Sequence, residues 1–149
     1  MTNLTQQVII YTDGSCLGNP GKGGWAAILF YKDTYKEING GQCNTTNNRM
    51  ELTAVIEALT LLKKPCDVVI YTDSMYVKDG ICSWMTKWKQ NNWLTSKKEP
   101  VKNIDLWQQL EQSCNRHKIS WQWVKAHNGN VHNERVDFLA KEGANKTIE

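Results

Sequence analysis

The sequence predicts an α/β fold built on a mixed sheet, and three observations carry that prediction. Ile10-Tyr11-Thr12-Asp13 returns as Ile70-Tyr71-Thr72-Asp73, each closing a run of apolar, β-branched and aromatic residues. Such runs fit strands buried on both faces, which is the habit of parallel sheet. Between the two repeats lie two further strand-like stretches joined by short connections, the mark of an antiparallel meander. Helical periodicity then follows three times, with capping signals at the first two starts and a proline stop after the first.

Taken in order, residues 8–12 form the first strand, which is expected to end at Asp13. Gly14-Ser15-Cys16-Leu17-Gly18-Asn19-Pro20-Gly21 reads as a turn-rich loop. It leads from strand to strand, so it matches neither a P-loop nor a dinucleotide fingerprint, both of which need a following helix N-terminus. Residues 23–31 make the second strand, with glycines that permit close backbone approach. Residues 35–43 make a third, more polar one, expected at an edge. Asn48 and Glu51 have capping-box spacing, and apolar positions run on to Leu62 before Lys63-Lys64-Pro65 stops the helix. The strand ending in Asp73 follows. Residues 78–102 change character, with Lys78, Lys87, Lys89, Lys97, Lys98 and Lys102 set among Trp84, Trp88 and Trp93. Asn103 is expected to cap a helix that buries Leu106, Trp107, Leu110 and Cys114. Ile119-Ser120-Trp121-Gln122-Trp123-Val124 alternates as a last strand. A loop carrying His127 leads to a final helix whose Asp137, Ala140 and Ala144 share one face.

Bulk properties narrow the function classes. A chain of 149 residues suits one domain, 1–149, and can bury roughly 70% of its unfolded surface without staples. Five cysteines, odd in number and without a CxxC pair, argue against a disulfide framework or a zinc site and for a reducing, cytoplasmic setting. The first residues have neither a basic region nor a long apolar stretch, so no signal peptide is expected. No apolar run is long enough to span a membrane. Net charge is only +3, so distribution matters more than total. Ammonium groups interleaved with aromatic planes over residues 78–102 suit a nucleic-acid backbone groove, the plainer reading being a solvated helix whose tryptophans pack on the core.

The candidate chemistry lies in acids. Ligands of open α/β sheets bind beyond the carboxyl ends of the strands. If the two repeated strands are parallel neighbours, Asp13 and Asp73 lie side by side there. Two close carboxylates repel unless one holds a proton or a cation lies between them, and a hard divalent cation is the expected solution. Each aspartate alone could equally be a turn residue or helix cap. Glu51 falls on the inward stripe of its helix, although a capping glutamate would also stand there. Asp137, on an otherwise apolar face, needs a partner or a cation.

Together and in this order, these stretches resemble ribonuclease H of the bacterial type 1 class. The resemblance covers residues 8–144. It rests on Tyr11-Thr12-Asp13-Gly14-Ser15, Gly18-Asn19-Pro20-Gly21, Thr46-Asn47-Asn48-Arg49-Met50-Glu51-Leu52, Tyr71-Thr72-Asp73-Ser74, the stretch 84–93, and His127 followed by Asn133-Glu134-Arg135-Val136-Asp137. It implies a ribonuclease H-like fold, a five-stranded mixed sheet flanked by helices, and endonucleolytic cleavage of RNA within RNA–DNA hybrids. Asp13, Glu51, Asp73 and Asp137 then match the acidic metal ligands, for two Mg²⁺ with Mn²⁺ as an alternative. Asp13 is expected to bridge the metals, with Glu51 and Asp73 on the nucleophile side and Asp137 on the other. His127 matches a loop histidine that assists proton transfer or product release. Cys16, Asn19 and Asn47 match contacts to the hybrid's minor groove, as does position 75, where Met75 replaces the glutamine usual in bacterial members. Thr46, Arg49 and Asn103 match a pocket for a DNA phosphate. Trp84, Lys87 and Lys89 fall in the family's basic protrusion. Nothing in the sequence suggests more than a monomer, no obligate protein partner is expected, and no separate hybrid-binding domain is expected. A DNA-directed nuclease of the same fold, a non-catalytic hybrid-binding module and an aspartyl-phosphate receiver are the rival readings. The stretch 46–51, the intact acids and the lack of acidic neighbours after the first strand disfavour them in turn.

Overall fold

The first strand, β1 (Gln7–Cys16), occupies the middle of a single five-stranded sheet. On one side it pairs antiparallel with β2 (Gly21–Tyr31), which pairs antiparallel with β3 (Thr34–Thr45) at the edge. On the other side it pairs parallel with β4 (Asp67–Thr72), and β4 pairs parallel with β5 (Lys118–Trp123). The sheet order is therefore β3-β2-β1-β4-β5, a meander joined to a parallel half. This computed structural model describes residues 7–125 and 130–147.

Both faces of the sheet are covered, as the apolar runs require. Val8 and Ile10 of β1 and Val68 and Ile70 of β4 pack with α1 (Asn47–Thr60) and α4 (Ile104–Asn115). Tyr11 of β1 and Ala26 and Ile28 of β2 pack with Val136, Leu139 and Ala140 of α5 (Val131–Lys146) on the opposite face. Alternation along β1 then puts Asp13 on the α5 face and Gly14 on the α1 face. Between β4 and α4 lie the short helix α2 (Met75–Asp79), one π-helical turn over Gly80–Trp84 and α3 (Met85–Gln90). Gly80 opens that turn against the Trp107 indole, where an added Cβ would overlap the ring.

Four expectations shift in detail. β1 does not stop at Asp13: Gly14, Ser15 and Cys16 continue the ladder opposite Trp25, Gly24 and Gly23, so the loop shrinks to residues 17–20. β3 extends further at both ends than residues 35–43. The first helix starts two residues earlier than the Asn48–Glu51 box predicts. Thr46 is its N-cap, its Oγ1 accepting from the Arg49 N–H at 3.3 Å. Glu51 thereby falls beyond the orphan donors of the first turn, which removes the capping reading for it. Asn103 precedes α4 in the left-handed region (φ 60°) and makes no side-chain cap; its amide is used elsewhere. On α4, Leu106, Trp107 and Leu110 are buried as expected, while Cys114 is half-buried against the same core. Burial and the Glu111 charge push the Cys114 thiol up to about 12, so it acts as a small apolar side chain.

Candidate active site

The register of the central strands assembles the acids. Tyr11 pairs with Tyr71, and their rings stack at 4.6 Å on the α5 face. Two residues on, with side chains returning to that face, come Asp13 and Asp73. Asp73 lies just past the end of β4. Glu51 reaches the same point from the second turn of α1 because Gly14 lets that helix approach β1. A Cβ on Gly14 would overlap the backbone of Met50 and Glu51. Asp13, Glu51 and Asp73 each present an oxygen within 4.8 Å of the others.

Burial gives this cluster its chemistry. Asp13 is 5% exposed and Glu51 6%. Burial first, then the charge of Asp73 and a hydrogen bond with Asp137, raise the Asp13 carboxyl from 3.8 to about 8. Burial and the charges of Asp13 and Asp73 hold Glu51 well above its ordinary value. The Gly14 N–H opposes both shifts without cancelling them. Glu51 Oε2 is buried with no hydrogen-bond partner among the described residues. An all-oxygen set that repels itself and leaves a buried oxygen unpaired fits a hard divalent cation such as Mg²⁺ or Mn²⁺. Asp137, on α5, touches Asp13 but is also paired with Lys141 at 3.1 Å, so it stands at the margin of the cluster rather than within it. All four acids line one cleft of about 330 Å³, together with Asn47, Met75, Tyr76, Asn133 and Glu134.

A polar network occupies one flank of that cleft. Arg49 Nη1 donates to Asn103 Oδ1 at 3.1 Å and to Asp105 Oδ1 at 3.0 Å; Nη2 donates to Asp105 Oδ2 at 2.7 Å. Asn103 Nδ2 donates to the Tyr76 hydroxyl, which also accepts from Trp107 Nε1. Arginine and indole are donors only, so the orientation of the Asn103 amide is forced by its neighbours. On the other flank, the Asn19 side-chain carbonyl accepts from the Asn47 N–H at 3.1 Å. The Cys16 thiol, with one proton to give, lies within reach of the carbonyls of Gly18, Gly21 and Thr45.

A family model for RNase H matches residues 5–145. The chain belongs to the ribonuclease H family. It is 58% identical over 138 residues to a ribonuclease H of Cupriavidus pinatubonensis, covering 93% of this chain and 95% of that protein. It is 59% identical to a ribonuclease H of Alcanivorax borkumensis, covering 93% and 91%. Among solved structures it is similar to LC9-RNase H1, described as a type 1 RNase H with the type 2 active-site motif. The TM-score is 0.86 at 34% identity, over 97% of this chain and 75% of that one.

Within this ribonuclease H, the remaining expected positions separate. Met75 is 59% exposed at the start of α2 and lines the cleft. Trp84, Trp88 and Trp93 form a row of mutually tilted rings, centroids 5.8 and 6.1 Å apart, and all three pack against the core, with Trp88 on Trp107. They hold the protrusion in place, leaving its lysines outward. Lys87 is exposed, whereas Lys89 is ion-paired with Glu111 of α4. His127 lies outside the described residues. Sequence reasoning missed Tyr76 and Asp105. Asp105, in the first turn of α4, reads as an ordinary helix-dipole acid, and only tertiary structure sets it against Arg49.

Among the described residues, no helix is long and apolar enough to cross a membrane.

Proposed function

We propose the following division of labour for hydrolysis of the RNA strand of RNA–DNA hybrids, the activity of ribonuclease H. The observation that carries it is the buried, mutually repelling trio Asp13, Glu51 and Asp73 with an unpaired Glu51 oxygen. Those three and Asp137 hold two Mg²⁺, or Mn²⁺ in their place. Bound divalent ions supply an activated water and offset charge on the phosphoryl and leaving oxygens. Asp13 is central because it is the acid that meets all the others: it touches Glu51 and Asp137 and feels Asp73.

The chain's own residues then orient the hybrid. Cys16, Asn19, Asn47 and Met75 face the minor groove, where RNA 2′-hydroxyls distinguish the RNA strand. Thr46, Arg49 and Asn103 receive a phosphate of the DNA strand. Trp84, Lys87 and Lys89 belong to a protrusion that adds affinity without sequence preference. His127 moves a proton or eases product release. Cleavage leaves 5′-phosphate and 3′-hydroxyl ends. The chain works as a single domain, a cytoplasmic monomer that needs no protein partner.

The test is a labelled RNA strand offered paired to DNA, paired to RNA, or single, each with Mg²⁺ or EDTA. Metal-dependent cutting of the hybrid alone is expected, and Asp13→Asn is expected to abolish it. Near-normal turnover by Asp13→Asn would sink the site assignment, and tight hybrid binding without cutting would favour a binding module.

A further inference from the structure

The donor count at Arg49 points to a role for Asp105. A guanidinium carries five N–H groups in one plane. Asp105 takes one from Nη1 and one from Nη2, end-on, and Asn103 takes the second from Nη1. Two are left: Nε–H and the outer Nη2–H, parallel on the remaining edge, with no partner among the described residues. That edge is itself a fork of the kind that grips phosphate with two bonds.

We propose that Asp105 is a positioning residue for substrate binding: it clamps Arg49 end-on so that the Nε/Nη2 edge stands ready for a phosphate oxygen pair of the DNA strand. This rests on reading Thr46, Arg49 and Asn103 as the phosphate pocket. Two features argue that the clamp is there for geometry and not for stability. The pair is exposed, with side-chain accessibilities of 31% for Arg49 and 54% for Asp105, and exposed ion pairs contribute little to folding. The clamp is also braced. The Asn103 amide is held by Tyr76, and Tyr76 by the fully buried Trp107 indole, so the second partner of Arg49 is tied to the core. A long, rotamer-rich side chain fixed on two sides loses less freedom when substrate arrives.

The experiment is a double-mutant cycle on hybrid cleavage, measuring KM and kcat for wild type, Asp105→Asn, Arg49→Ala and the double variant, with urea unfolding of each. Asp105→Asn keeps the size of the side chain but loses the anionic fork. It is expected to raise KM roughly 3- to 10-fold with kcat little changed, the scale of loosening one charge-assisted contact. In the Arg49→Ala background the same change is expected to leave KM unmoved, and unfolding midpoints are expected to match. An equal KM rise in both backgrounds overturns the proposal, because Asp105 would then act independently of Arg49. So does no change in the wild-type background. A fall in KM overturns it in the other direction, since Asp105 would be competing with phosphate for Arg49. If Arg49→Ala alone leaves KM unchanged, the phosphate pocket itself fails, an outcome separable from all of these.

Discussion

Replacing Asp13 by asparagine should stabilise the metal-free protein while destroying its activity. The Asp13 carboxyl is raised from 3.8 to about 8, chiefly by burial and then by Asp73 and Asp137. A carboxyl whose folded value is raised favours the fold while protonated, and that advantage is lost as pH climbs from about 4 towards 8. At pH 7 the unfolded chain ionises freely while the folded one resists. At about 1.4 kcal/mol per pH unit, the cost is roughly 4 kcal/mol, an upper value because Glu51 and Asp73 relax with it. Asparagine does not titrate and keeps the shape. The gain expected at pH 7 is therefore about 2–4 kcal/mol, equivalent to a midpoint rise of several degrees in a chain this long. Urea unfolding in EDTA should show it at pH 7 and show it shrinking towards zero near pH 4, where both proteins carry a neutral group. Adding Mg²⁺ should stabilise the wild type more than the variant, because the cation relieves the same repulsion. A variant that is no more stable at pH 7, or whose gain does not vary with pH, would refute the claim that charge at Asp13 is held in the fold at a cost.

Other outcomes follow from neighbouring geometry. Gly14→Ala should cost about 1–3 kcal/mol and most of the activity, because its Cβ overlaps the α1 backbone at Met50 and Glu51 and pushes Glu51 off the cluster; unfolding and cleavage assays on one sample check both. Neutralising Lys87 and Lys89 together should raise KM and flatten its salt dependence, with Lys87→Ala the larger single effect, since Lys89 is already engaged by Glu111. An unchanged salt slope would count against phosphate contacts there. His117 accepts the Cys66 N–H on Nδ1, and burial and Arg116 hold it below its ordinary value. Its contribution is full above about pH 6.5 and is lost as pH falls below that, so His117→Gln should flatten that part of the urea-midpoint profile relative to wild type.

The parts of this molecule that were legible in sequence are those encoded locally or by repetition. The two Ile-Tyr-Thr-Asp runs announce parallel neighbours because strand burial shows in composition, and the register Ile10 to Ile70 and Tyr11 to Tyr71 follows that repetition. Glu51 was legible through helical phase, and its inward placement was right although the capping box was not: Thr46 outcompetes Asn48 as N-cap. Asn103 shows the opposite case. Its residue type promised a cap, but the left-handed backbone turns the amide towards Arg49 and Tyr76, partners 54 and 27 residues away in the chain. No local pattern carries that information.

The same distinction explains the protrusion. Lysine interleaved with tryptophan gives one sequence signal for two physical tasks, and only packing separates them. The indoles turn inward onto Trp107 and one another, while Lys87 is left exposed and Lys89 pairs with Glu111. Trp107 thus supports two distant features at once: it seats Trp88 of the protrusion and, through Tyr76, the amide that holds Arg49. Trp107→Phe, which keeps most of the packing but removes the indole N–H, isolates the second task. If the bracing argument holds, it should raise KM for the hybrid in the same direction as Asp105→Asn while leaving the protrusion's salt dependence intact. A KM unaffected by loss of that N–H would show that Asn103 holds Arg49 without help from the core.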